Sequence, residues 1–111
     1  MTLTDSQLRE QSQLLLVQTI DEVLETIFGK RTLSVVYDFL KKRLMLEKNE
    51  IPTKAKVFSQ GLHQLFGSAS SQIELRIAKK LCEKSGMKFY PDSLFDFADY
   101  IAAYRALVKP K

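Results

Sequence analysis

The sequence predicts an all-α protein of five helices, built on two similar helix–Phe-Gly–helix hairpins and completed by a C-terminal helix. Three observations support this prediction. Apolar residues recur at the spacing of an amphipathic helix along almost the whole chain. Glycine and proline are scarce, at 4 and 3 of 111 residues, which argues against a many-turned β architecture. A segment ending in Phe-Gly also occurs twice, in the same helical context.

The first helix is predicted over residues 4–28. Thr4 and Gln7, three residues later, match a capping box. Gly29 is expected to end the helix, because glycine readily adopts the positive φ found at helix ends. The apolar surface is wider than one stripe, so we expect the rest of the domain and a second copy of the chain to cover it. The residues expected on the dimer face are Leu8, Leu15, Leu16 and Ile20.

The second helix is predicted over residues 33–47, with Thr32 or Ser34 as its N-cap. Residues 47–54 form the clearest linker, because Pro52 disfavours helical geometry in the residue before it. The chain therefore divides into a first and a second helical half at this point.

The third helix is predicted over residues 54–66 with Thr53 as its N-cap. The fourth is predicted over 71–85, opening with a capping box of Ser71 and Glu74. A glycine follows each of these two helices and is expected to end it.

A turn or short extended piece is expected at residues 87–91, and a fifth helix from Asp92 or Ser93 to about residue 108. All 111 residues fit one domain of ordinary size. Within it we distinguish an N-terminal helical extension at 1–19, a core with the repeat at 20–87, and the C-terminal helix within 88–111.

The internal repeat is the most informative feature of the sequence. Residues 24–29 (LETIFG) match residues 62–67 (LHQLFG), and the alignment continues without a gap to Lys41-Lys42 and Lys79-Lys80. The phenylalanine is expected to fill the corner between two helices, and the glycine to take a turn that a Cβ would obstruct. Two such hairpins can pack about a pseudo-twofold axis, each covering the apolar face of the other.

Charge is unevenly distributed along the chain. The net charge of +4 is the sum of −4 over residues 1–29, +5 over 30–56, +3 over 57–90 and zero over 91–111. Such asymmetry can attract nucleic acid or an acidic partner. It can equally attach an acidic helix to a basic layer of the same molecule or of a second copy.

Two lysine-rich clusters occupy matching positions of the two repeats, and they are the candidate basic interaction patch. Their members are Lys41, Lys42, Arg43, Lys79, Lys80 and Lys84. On one surface they would suit a phosphate backbone or an acidic protein. Against nucleic acid, no recognition-helix pattern is present and aromatic residues are not interleaved with the bases. Complementation of the helix dipole also explains most of these lysines.

Few features of the sequence indicate catalysis, and we predict no catalytic, cofactor-binding or metal-binding residues. The only histidine, His63, and the only cysteine, Cys82, lie on different predicted helices, whereas a Cys–His pair needs contact and an orienting third group. The carboxylates Asp92, Asp96 and Asp99 are expected to complement the dipole of the last helix rather than bind a cation.

A small-molecule sensor is the next alternative, and an enzyme is the last. A sensor pocket would lie between the hairpins, lined by Phe39, Phe58, Phe66, Tyr90 and Phe95, but no small-molecule ligand or cofactor is expected. No apolar run is long enough to span a bilayer and no export signal is recognised, so no membrane partner is expected. A single cysteine fits a reducing cytoplasm.

The stretch from Ile20 to Met87 resembles an archaeal family of proposed signal-transduction output domains, the Nitrosopumilus output domain. The most specific part is Ile51-Pro52, then Phe58, then the Leu-x-x-Leu-Phe-Gly of residues 62–67, then a helix with Glu74. Leu24, Phe28-Gly29, Val36-Tyr37, Leu40, Ala69 and Leu81 carry the rest of the resemblance.

The resemblance implies a small, cytoplasmic, regulatory and non-enzymatic archaeal protein that passes a signal by binding a partner. The width of the apolar surface on the first helix, rather than the family, leads us to expect a homodimer. A basic regulator that binds nucleic acid, in transcription or chromatin, is the alternative function.

Overall fold

The structure is a computed structural model that describes residues 4–90 and 96–107, without the side chains of residues 5, 6, 8 and 9. The described residues form helices and no strand, which confirms the all-α class. The α-helices are α1 (Asp5–Leu44), α2 (Ala55–Phe66), α3 (Ser70–Ser85) and α4 (Phe97–Leu107). Short 3-10 helices at Lys48–Thr53 and Gly67–Ala69 precede α2 and α3.

The first two predicted helices form one continuous element, α1, which Gly29 divides into two arms. Gly29 has φ 80° and ψ 166°, outside the helical region, and the helix resumes at the next residue. The predicted capping box at the start of α1 is confirmed, since the Thr4 side chain accepts from the Gln7 backbone and the Gln7 side chain from that of Thr4. Five predicted helices therefore become four elements, because two of them join without a loop.

The second arm of α1 differs from its predicted boundaries of 33–47. It begins directly after Gly29, so Thr32 and Ser34 lie within the helix and neither caps it. It ends at Leu44, because Met45 adopts a left-handed conformation with φ 53°. The predicted linker then forms the 3-10 helix Lys48–Thr53 rather than an irregular segment.

Two further caps were predicted wrongly. Lys54, not Thr53, precedes α2, and the Thr53 hydroxyl donates instead to the Glu50 carbonyl at 3.0 Å. The fourth predicted helix, α3, begins at Ser70 with no side-chain cap, because the 3-10 turn before it already directs the chain into the helix. Glu74 is therefore free to contact α2 instead of capping its own helix.

The C-terminal helix begins at Phe97 among the described residues. Asp96 and Asp99 form reciprocal bonds, in which each side chain accepts from the backbone N–H of the other at 2.8–3.0 Å. These two carboxylates therefore cap the helix start through hydrogen bonds, whereas the sequence argument predicted only an interaction with the helix dipole. The predicted starts at Asp92 or Ser93 lie outside the described residues.

The apolar core joins both arms of α1 to α2, α3 and α4. Seven of its fully covered side chains come from the two arms of α1, from α2 and from α3: Leu16, Ile20, Leu24, Leu40, Phe58, Leu62 and Ile77. Phe97 and Ile101 close the core from α4. The Tyr104 hydroxyl donates to the Ser12 carbonyl at 3.0 Å, so α4 also holds the beginning of α1.

The two Phe-Gly corners meet each other. The rings of Phe28 and Phe66 stack with centroids 4.8 Å apart and planes 10° apart. Gly67, like Gly29, has a positive φ, at 59°. Nearby, Gly61 of α2 lies so close to the second arm of α1 that an added Cβ would fall 2.3 Å from a methyl carbon of Leu40.

Candidate interaction surfaces

The acidic arm of α1 is neutralised largely within the molecule. Glu22 pairs with Lys84 at 2.5 Å and with Lys80 at 3.9 Å, both from α3. Asp21 pairs with Lys48 at 2.9 Å and accepts a hydrogen bond from the Tyr37 hydroxyl. The acidic side chains of this arm therefore pair with basic side chains from other elements of the same chain.

The predicted basic patch is also mostly compensated. Lys41 pairs with Glu47 at 3.6 Å, and Lys42 pairs with Asp38 at 3.0 Å. With Lys80 and Lys84 held by Glu22, four of the six predicted residues have an anionic neighbour. Arg43 and Lys79 are exposed and pair with no described residue. The patch offers less free positive charge than the sequence predicts.

The predicted dimer face on α1 needs correction. Leu16 and Ile20 are completely buried in the core of a single chain, so neither is available to a second copy. The physical reason is that the apolar stripe containing them faces α4, α2 and α3 rather than solvent. Leu15 is half-buried, and the side chain of Leu8 lies outside the described residues. The adjacent Leu14, by contrast, is 56% exposed.

The predicted sensor pocket is not assembled as proposed. Phe58 is fully buried and packs against Phe97, with ring centroids 5.4 Å apart, and Phe66 stacks on Phe28. Tyr90 is largely exposed, and Phe95 lies outside the described residues. The hairpin aromatics described here fill space between helices instead of lining a cavity together.

Cys82 and His63 do not form a nucleophilic pair. Cys82 is buried, its thiol lies 3.8 Å from the Lys88 carbonyl, and burial raises the pKa of the thiol. His63 is exposed on α2. A buried thiol with a raised pKa is a poor nucleophile. Within the described residues, no three His, Cys, Asp or Glu side chains are grouped to hold a metal ion.

Sequence reasoning missed a polar contact between α2 and α3. The Ser59 hydroxyl donates to a Glu74 carboxylate oxygen at 2.5 Å in a partly buried position. Burial, together with the nearby charge of Asp96, raises the pKa of the Glu74 carboxyl, although the bond from Ser59 opposes this. Ser59 is the counterpart of Asp21 in the repeat, and Asp21 also contacts the second helix of its own hairpin, through Tyr37.

A shallow groove of about 370 Å³ lies between the start of α2 and the outer side of α4. Its floor is made of short apolar side chains, and its rim is basic. The residues lining it are Pro52, Thr53, Lys54, Ala55, Lys56, Val57, Ala98, Ile101, Ala102 and Arg105. Sequence reasoning missed this groove, because its two sides are more than 40 residues apart in the chain.

The chain has no counterpart in the comparisons with known proteins: no family model, no curated protein and no solved structure matches it. Membership of the Nitrosopumilus output domain family therefore stays a prediction. No helix among the described residues has both the length and the hydropathy needed to cross a bilayer.

Proposed function

We propose that this protein is a non-enzymatic interaction module that serves archaeal signalling in the cytoplasm and acts as a homodimer. The observation that carries the proposal is that several large apolar side chains of the described residues stay open to solvent. Leu14, Val35 and Leu107 are each more than half exposed. Apolar surface left open on a small helical protein is typical of interfaces.

The dimer contact that we propose is centred on Leu14, which is two positions from the buried Leu16 and therefore lies on the opposite side of α1 from the buried stripe. Leu15 and Val17 flank it and are half-buried, so a second helix can cover all three. Gln18 lies on the same face as Leu14, one helical turn later, where it can form polar contacts at the edge of the interface. A twofold dimer would use this face on both copies.

Sedimentation equilibrium tests the dimer. We expect twice the chain mass of 12.8 kDa for the wild type at tens of micromolar, and the mass of one chain for Leu14→Glu. The Leu14→Glu variant should keep its helicity by circular dichroism, because the side chain is exposed. Val35→Glu, an equally exposed aliphatic residue on the other arm, is the matched control and should stay dimeric. A monomeric wild type would overturn the homodimer.

Duplication of a hairpin is the architecture that we propose to underlie this module. Each hairpin has a Phe-Gly corner with a glycine at positive φ, and the two phenylalanines stack on each other, as residues beside a twofold axis would. Each hairpin is also bridged by a side-chain hydrogen bond at an equivalent position of its first helix, where Asp21 accepts from Tyr37 and Ser59 donates to Glu74.

Nucleic-acid binding is the alternative, and it is supported by Arg43 and Lys79, two exposed members of the basic patch that form no ion pair with a described residue. Affinity for duplex or single strands should then fall steeply with salt and be lost when Lys41, Lys42, Arg43, Lys79 and Lys80 become Glu. No binding at low salt would eliminate this alternative while leaving the dimer proposal intact.

A further inference from the structure

We propose that the groove between the start of α2 and α4 is a docking site for an acidic amphipathic helix of a partner protein. This inference rests on the proposed role as an interaction module and names its binding surface and the chemistry of its partner. None of its lining residues belongs to α1, the helix that carries the Leu14 face.

The floor of the groove suits the apolar stripe of a helix. Ala98 and Ala102 are four residues apart, so they lie on one face of α4, and their short side chains allow close approach. Val57 and the buried Pro52 form the opposite side. An open volume of about 370 Å³ accommodates a few aliphatic side chains but not a large cofactor.

The rim is positive, and two of its three cations pair with no residue that the structure describes. Lys54 pairs with Glu50 at 2.9 Å, but Lys56 and Arg105 form no ion pair with any described residue. Lys56 lies in the first turn of α2, which contains no acidic residue and has no side-chain cap. The positive end of the helix dipole therefore adds to the lysine charge instead of offsetting it.

Charge and shape together identify the occupant. An apolar floor favours aliphatic side chains at positions i, i+3 or i+4, and i+7 of a helix laid in a groove. Cations at both sides favour carboxylates flanking that stripe. A phosphate backbone would use the rim but leave the apolar floor uncovered, so an acidic helix fits the whole surface better.

A designed peptide of about 20 residues, long enough to form a helix, is the probe. It carries leucines on one face and glutamates beside them, and a matched peptide has glutamine at each glutamate. We expect fluorescence anisotropy to detect binding of the acidic peptide, with affinity falling about tenfold for Lys56→Glu/Arg105→Glu. Arg43→Glu/Lys79→Glu, with the same change in net charge outside the groove, should bind like the wild type.

A second variant tests the floor without changing charge. Ala102 is exposed on α4, so Ala102→Leu should fold while filling the groove, and it should weaken the acidic peptide. The proposal is overturned if the acidic peptide does not bind, if the glutamine peptide binds equally well, or if both charge-reversal variants lose affinity equally. Sedimentation of the same samples distinguishes failure of this proposal from failure of the proposed function. A protein that is dimeric but does not bind the peptide contradicts the docking site and leaves the homodimer proposal intact.

Discussion

The two arms of α1 and the pair α2–α3 are built on the same sequence pattern but turn their corners differently. At the first corner, helix resumes directly after Gly29, whose ψ is 166°. At the second, Gly67 has ψ −135° and begins a 3-10 turn before α3. Equivalent residues thus permit two related corners, and the local sequence that follows the glycine decides which one forms.

Each hairpin has one side-chain hydrogen bond between its own two helices, and these two bonds are likewise similar but not identical. Asp21 and Ser59 are equivalent positions, but their partners, Tyr37 and Glu74, are one residue out of register. The second helix of each hairpin is therefore rotated differently against its first helix. Similar corners can therefore lead into different packing, because each helix adjusts to its own neighbours.

The largest expected effect concerns the tight contact between α2 and the second arm of α1. In Gly61→Val the new side chain would collide with Leu40, and overpacking of this kind costs about 1–3 kcal/mol. In the repeat, Val23 corresponds to Gly61 and Ala78 corresponds to Leu40, so the larger residue is on the other helix of the pair. Urea unfolding should therefore show that Gly61→Val is better tolerated in a Leu40→Ala background.

The double-mutant cycle tests whether the two positions exchange volume, as the repeat suggests. Leu40→Ala alone should cost about 2–5 kcal/mol, because it opens a cavity in the core. If the valine fills that cavity, the coupling should be favourable and on the order of 1–2 kcal/mol. Additive losses would show that the two sites do not exchange volume.

Substitution of the corner glycines should give the next largest effect. Neither Gly29 nor Gly67 has an atom near the site of an added Cβ, so the cost of alanine comes from the backbone alone. Positive φ combined with extended ψ is close to glycine-only territory, and we expect each alanine to cost about 1–3 kcal/mol. Chemical denaturation measures this cost, and unchanged stability at either site would mean that the corner relaxes to another conformation.

The presence of the helices could be predicted from this sequence, whereas the residues that contact each other between helices could not. Periodicity located the helices, and the glycines located both corners and the end of α3. The caps predicted at Thr53 and at Ser71 do not form, because a 3-10 helix precedes α2 and another precedes α3 and each already directs the chain into the helix. Periodicity also cannot tell Leu14 from Leu16, since the direction that a wide apolar surface faces depends on where the other helices pack.

A smaller effect is expected from the ring pair at the two corners. Phe28 and Phe66 belong to different hairpins, and stacked aromatic pairs contribute about 0.5–1.5 kcal/mol beyond burial. A cycle of Phe28→Leu and Phe66→Leu should give a coupling energy in that range by thermal or urea unfolding. Coupling near zero would mean that the rings fill their corners independently.

The smallest expected effect is a pH dependence that has opposite signs in the two hairpins. Burial raises the pKa of Glu74, so the folded state binds its proton more tightly than the unfolded chain. The stability from the neutral carboxyl is complete below the ordinary pKa of 4.5 and is lost as pH rises through the higher folded-state pKa. Glu74→Gln should therefore have a higher Tm than wild type at pH 7 and an equal Tm at pH 4.

Glu22 provides the matched control on α1. The hydrogen bond from Lys84 lowers the pKa of Glu22, so its contribution to stability is present above pH 4.5 and is lost as pH falls through the lower folded-state pKa. Glu22→Gln should therefore have a lower Tm than wild type at pH 7, and salt should reduce the difference because this ion pair is exposed. Thermal unfolding at both pH values measures each sign, and equal behaviour of the two variants would contradict the assignment of Glu74 to a buried contact and Glu22 to a surface one.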